Sequence, residues 1–131
     1  MALLMKKADF QLMVEHCLAA QPNEACGLLA GKDGQVEKVY LTTNIKASPF
    51  RYEVDPEELV AILEEINSKA QELLGIFHSH PGGRAYPSPE DVRLAFYPGA
   101  RYVIIGLDPE LEVRAFWIKE GRVADEDLFL V

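Results

Sequence analysis

Cysteine is scarce in this chain of 131 residues, with only Cys17 and Cys26 present. Two thiols do not make a disulfide framework, and reduced thiols in a reducing cytosol are the expectation. Basic residues are also short: 13 Lys and Arg stand against 21 Asp and Glu, a net charge of −8. That balance argues against a nucleic-acid partner, which calls for a basic face, and against docking on an anionic membrane. No apolar run reaches the ~20 residues of a membrane helix. MALLMKKADF lacks the apolar centre and cleavage site of a signal peptide. The expected location is therefore cytoplasmic. Repeats, low-complexity tracts and linkers are absent too. One domain over residues 1–131, with 49% hydrophobic residues to build a core, is the expected organisation.

What is present is periodic. Phe10, Met13, Val14, Cys17 and Leu18 recur at helical spacing and predict an amphipathic helix over 7–20. His16 falls off that stripe and is expected at the surface. CGLLAG (26–31) and VEKVYLTTN (36–44) predict a hairpin with Asp33-Gly34 in its turn. Leu59, Ile62, Leu63, Ile66 and Ala70 predict a second helix over 56–72. LLGIFHSH (73–80) is a compact apolar strand. Ser88-Pro89 opens a short helix that Pro98-Gly99 ends. RYVIIGLD (101–108) is a further buried strand, and LEVRAFWIKEG and RVADEDLFLV supply one or two more. Strands interleaved with helices predict an α/β fold, a single-domain mixed sheet flanked by helices.

Histidine is nearly as scarce as cysteine, yet two of the three, His78 and His80, sit two residues apart at a strand end. Side chains two apart on a strand share a face, with Cα atoms ~6.6 Å apart. Two imidazoles converge across that gap on one ion with bonds of about 2.0–2.1 Å. Pro81 ends the ladder, and Gly82 and Gly83 permit a sharp return that brings Asp91 within range. Two His and one carboxylate suit Zn²⁺ with a fourth position open to water. Glu24, in PNEACGLLAG, offers a general base. Other readings stand beside these. A lone H-x-H is a weak signal. Ser88-Pro89-Glu90-Asp91 is also a capping box with Asp in place of Glu, and a carboxylate used as a back-cap is not readily a metal ligand. Glu24 alone reads as a loop acid, and Cys26 as a small buried hydrophobe.

Taken together, Glu24 and His78-Ser79-His80-Pro81-x6-Ser88-x-x-Asp91 resemble the JAMM motif of the MPN-domain zinc metalloproteases, in a compact prokaryotic form. The resemblance runs over nearly the whole chain, through PNEACGLLAG and SPFRYEVDPEEL. It implies a cytidine-deaminase-like architecture, although the Cys-x-x-Cys ligands of zinc deaminases are missing. It implies one Zn²⁺ held by His78, His80 and Asp91 with a water. It implies Glu24 as general base and proton donor to the departing amine, and Ser88 as donor to the oxyanion. Under it, the back-cap reading of Asp91 is dropped. The implied substrate is the amide or isopeptide bond after the C-terminal Gly-Gly of a ubiquitin-like or sulfur-carrier protein. A catalytically silent MPN scaffold and a zinc hydrolase of small amides are the alternatives. Oligomeric state is left open.

Overall fold

Along residues 2–131, which the computed structural model describes, the elements are β1 (Ala2–Met5), α1 (Lys7–Ala20), β2 (Cys26–Lys32), β3 (Gln35–Thr42) and α2 (Pro56–Ser68). They continue with β4 (Glu72–His80), α3 (Pro89–Arg93), β5 (Arg101–Gly106), β6 (Glu112–Lys119) and β7 (Arg122–Leu130). The hairpin turns where its chemistry says it must. Asp33 and Gly34 both take positive φ, 53° and 76°, the conformation of a two-residue turn that matches strand twist.

Strand β4 is the centre of the sheet. It pairs antiparallel with β2 and parallel with β5. Both of its faces are covered, which is why 73–77 reads as a continuous apolar run. One core cluster gathers Met13 and Cys17 of α1 with Leu29, Phe77, Val103 and Ile105. The other packs Ile66 of α2 on Leu28, Ile76, Tyr102, Ile104 and Phe116. His78 and His80 follow Ile76 at steps of two and so lie on the α2 face.

The mixed sheet flanked by helices is as expected, but it closes. The strand order β1-β3-β2-β4-β5-β6-β7 forms a ring. The closing element is β1, a strand that the sequence reading leaves out. It runs parallel to β7 over Ala2–Met5 and bridges β3 at Leu4–Gln35. Leu3 and Met5 are fully buried.

Several boundaries and side chains differ from expectation; strand β3, for one, stops at Thr42 rather than 44. Helix α2 stops at Ser68 rather than 72, because Ala70 turns left-handed (φ 54°) and the Gln71 N–H donates back to the Ile66 carbonyl. Ala70 is consequently exposed. Helix α3 stops at Arg93, well before Pro98. Strand β5 stops at Gly106 rather than 108. Leu18 lies at the rim of the α1 stripe and is 48% exposed. His16 is not a free surface residue: its Nε2–H donates to the Cys26 carbonyl at 3.1 Å, and its ring meets Phe77 edge-on. Among the described residues, no helix is long and apolar enough to cross a membrane.

Candidate metal centre

The centre is built from the end of β4 outward. His78 sits in register between Cys26 of β2 and Ile104 of β5, and its side chain is 1% exposed. His80 stands one step further toward solvent. Beyond it the chain reverses and reaches Ser88, the N-cap of α3. The Ser88 Oγ accepts the Asp91 N–H at 3.0 Å, and Asp91 Oδ2 accepts the Ser88 N–H at 2.9 Å. The capping box is complete.

That same Oδ2 lies 3.2 Å from His78 Nε2 and 3.0 Å from His80 Nε2, and the two imidazole nitrogens are 3.1 Å apart. The expectation that Asp91 gives up its capping role is therefore overturned. A carboxylate oxygen has more than one acceptor direction. One meets the Ser88 N–H, which aims the other at the histidines.

Three potential ligand atoms converge at one point. The His80 ring is oriented by its Nδ1–H, which donates to the Arg84 carbonyl at 2.9 Å. In the neutral ring, its Nε2 then faces the cluster with a lone pair; in the protonated ring, Nε2–H donates to Asp91 Oδ2. A tetrahedral cation with bonds of about 2.0–2.1 Å has ligand separations of about 3.3 Å, close to the triangle observed. Two imidazole nitrogens and a carboxylate oxygen are also a donor set suited to such a cation. The residues fit a metal ion. Burial raises the Asp91 pKa, but the hydrogen bonds to His78 and His80 outweigh it and hold the group well below the usual carboxylate range. Burial holds His78 below the usual imidazole value. In His80 burial acts the same way, but Asp91 and the Arg84 carbonyl outweigh it and raise the pKa.

Glu24 lies beside this cluster, 5% exposed. Its backbone is tied down on both sides: the N–H donates to the Ser48 carbonyl at 2.9 Å and the C=O accepts from Asn44 Nδ2 at 3.0 Å. Ser79, pointing away from the histidines, anchors the neighbouring residue through its Oγ and the Ala25 N–H at 2.9 Å. The Glu24 side chain is free by contrast, with a buried Oε1 that has no partner among the described residues. Burial pushes its pKa up to about 8, with Asp91 adding to the rise and His80 opposing it. A buried carboxyl with an unpaired oxygen beside such a cluster is a general-base candidate.

Two residues of the site escape the sequence reading. Tyr52 stacks on His78 with ring centroids 4.3 Å apart and planes 20° apart. Asn44 folds the loop that delivers it. Its Nδ2 donates to the Glu24 and Arg51 carbonyls, and its Oδ1 accepts the Lys46 and Glu53 N–H groups. This loop and the segment after α3 wall a groove of about 580 Å³ that reaches Asp91 and is floored by Leu28, Ile76 and Tyr102. Phe96 (72% exposed) stands on its wall. The signal available was the cluster of aromatics and prolines in SPFRYEVDP, which has no periodicity to mark it.

Known proteins are similar to this chain. Residues 6–119 match the family described as prokaryotic homologs of the JAB domain. The CysO-cysteine peptidase of Mycobacterium tuberculosis is 36% identical over 133 residues, covering 98% of this chain and 91% of that protein. The desampylase of Haloferax volcanii is 41% identical over 104 residues, covering 77% of this chain and 75% of its own. A protein of Desulfitobacterium hafniense, solved in solution, superposes with a TM-score of 0.87 at 38% identity, covering 98% of this chain and 92% of that one. With the match running from α1 through β6, the chain belongs to the prokaryotic JAB (JAMM/MPN) domain family.

Proposed function

We propose that the chain is a zinc-dependent peptidase or isopeptidase acting after the C-terminal Gly-Gly of a ubiquitin-like or sulfur-carrier protein. One observation carries the reading: two imidazoles and a carboxylate meet within 3.2 Å beside a buried carboxyl with a free oxygen. The names of the relatives, CysO-cysteine peptidase and desampylase, support the substrate class.

His78, His80 and Asp91 would hold the zinc. When bound, the ion supplies a Lewis acid that polarises the scissile carbonyl and acidifies a water. The remaining work falls to the chain. Glu24 takes the proton from the attacking water and hands it to the departing amine. A positive centre beside it favours its ionised form against the burial that raises its pKa. The Ser88 Oγ already accepts the Asp91 N–H, so its own O–H remains free to donate to the oxyanion. The groove admits the tail, and glycines at its end pass the narrow approach to the centre because they carry no side chain. The exposed Phe96 on its wall suits a protein partner on an otherwise acidic surface. Cys17 and Cys26 are free and buried, which supports a cytoplasmic setting. Residues 1–131 act as one domain.

The test combines elemental analysis with cleavage of a ubiquitin-like protein extended beyond its Gly-Gly. The reading expects one zinc per chain and release of the extension, with Glu24→Gln keeping the zinc and losing cleavage. No zinc after reconstitution sinks the metal centre. Zinc without turnover returns a binding scaffold. Hydrolysis of short amides, indifferent to a folded carrier, returns a small-amide hydrolase.

A further inference from the structure

His80 owes its orientation to the Arg84 carbonyl, yet that carbonyl sits on a loop containing Gly82 and Gly83. Something must hold the loop. The Arg84–Ala85 peptide unit has two polar ends. Its C=O accepts the His80 Nδ1–H at 2.9 Å, and its N–H donates to Glu112 Oε1 at 3.1 Å. The peptide is planar, so fixing the N–H fixes the carbonyl on the other side. Glu112 grips the same residue again: Arg84 Nε donates to Oε1 at 2.9 Å and Nη2 to Oε2 at 3.2 Å. Such a forked pair sets geometry as well as charge.

The sheet makes room for this arrangement. Gly106 is the ladder partner of Glu112. A Cβ on Gly106 would stand 2.5 Å from the Ala85 nitrogen and 2.6 Å from the Arg84 carbonyl carbon. The loop backbone therefore lies flush on the strand, and the Asp108 N–H holds it there through the Gly83 carbonyl at 3.3 Å. Arg84 and the Ala85 N–H in turn keep the Glu112 carboxyl acidic, at about 2. It is an ionised acceptor throughout the neutral range.

We propose that Glu112 is a positioning residue of the metal centre: through the Arg84–Ala85 peptide it sets the tautomer and aim of His80, and so the affinity for the ion. This rests on the reading of His78, His80 and Asp91 as a metal site. It assigns work to a surface carboxylate 32 residues away from His80 in the chain.

Two readouts test it on the full chain. The first needs no metal. Long-range ¹H–¹⁵N spectra of the chelator-treated protein at alkaline pH report which His80 nitrogen is protonated. Wild type should show Nδ1–H, and Glu112→Ala a mixture of tautomers. The second is the zinc dissociation constant, from competition with a chromophoric chelator. Glu112→Ala should raise it by about 10-fold or more, the usual cost of losing a group that orients a metal ligand. Glu112→Gln keeps an acceptor for the Ala85 N–H and should lie between the two. If Glu112→Ala does not fold, Arg84→Ala decides the matter, because it removes the fork and leaves the backbone; a measurable rise in the constant is expected. An unchanged tautomer in the variants overturns the proposal. So does an unchanged zinc constant. A wild type that binds no zinc, with the tautomer shift still seen in Glu112→Ala, condemns the metal reading and keeps the Glu112–His80 linkage.

Discussion

Ser88 and Asp91 hold each other twice, N–H to Oδ2 at 2.9 Å and N–H to Oγ at 3.0 Å, and the same Oδ2 faces both histidines. Cap and ligand are thus one device. Substitutions at the two positions should separate its parts. Ser88→Ala removes the acceptor of the Asp91 N–H, at a cost of about 1 kcal/mol or about 3–5 °C in Tm. It leaves the ligand set intact, so zinc should remain at one per chain while cleavage falls about 10²–10³-fold. Asp91→Asn should do the reverse. Its amide oxygen still accepts the Ser88 N–H, so α3 persists, but elemental analysis should find substoichiometric zinc. Full zinc in Asp91→Asn would mean that the carboxylate is only a cap.

Glu24 gives a pH signature. Its folded pKa, about 8, lies above the ordinary value near 4.5, so the folded protein binds the extra proton between them. Stability from this group is full below about 4.5 and is lost as pH rises through about 8. In the chelator-treated protein, the Tm of wild type should therefore drop relative to Glu24→Gln between pH 5 and pH 8 and run parallel to it above pH 9. Parallel curves across the whole range would show that Glu24 is not buried as described.

Metal removal gives a third. Without an ion, two nitrogens and a carboxylate oxygen at about 3.1 Å have only protons to share. An ion that binds the folded state alone adds stability as RT ln(1 + [L]/Kd). Stability should rise by about 1.4 kcal/mol for each tenfold in free zinc above Kd, Tm should rise with it, and chelation should reverse both. A Tm indifferent to zinc from micromolar to millimolar would exclude a specific site.

Much of this was legible in the sequence, wherever the determining interactions are local. The 3.6-residue stripe places Met13, Val14 and Cys17 on one face of α1, and strand alternation puts His78 and His80 on one face of β4. Asp33-Gly34 names its own turn. The failures share a cause. Strand β1 is four residues long, too short for alternation to register, and its partners are Asp127–Leu130 at the other end of the chain. The α2 stripe continues formally through Ala70, whereas its end is decided by one left-handed φ. The sequence sets cap against ligand at Asp91 because a motif does not record that one oxygen offers two acceptor directions. Tyr52 and Glu112 reach the site across 26 and 32 residues of sequence from His78 and His80 respectively. No periodicity spans such distances.

Asn44 carries the last prediction. All four hydrogen-bonding positions of its carboxamide are used, two on each side. It joins the backbone of Glu24 to the loop bearing Tyr52 and one wall of the groove. Asn44→Ala strips partners from two carbonyls and two N–H groups at once, at about 1 kcal/mol for each that water does not satisfy. None of these groups is a metal ligand. Zinc stoichiometry and Kd should therefore stay near wild type, while KM for the ubiquitin-like substrate rises and kcat falls together, by about 10-fold in kcat/KM. Asn44→Asp keeps Oδ1 as acceptor but loses the Nδ2–H donors to Glu24 and Arg51. It should retain the Lys46 and Glu53 contacts and still lose activity. If Asn44→Asp matches wild type in kcat/KM, the bond to Glu24 does not position the base, and the loop alone accounts for the residue.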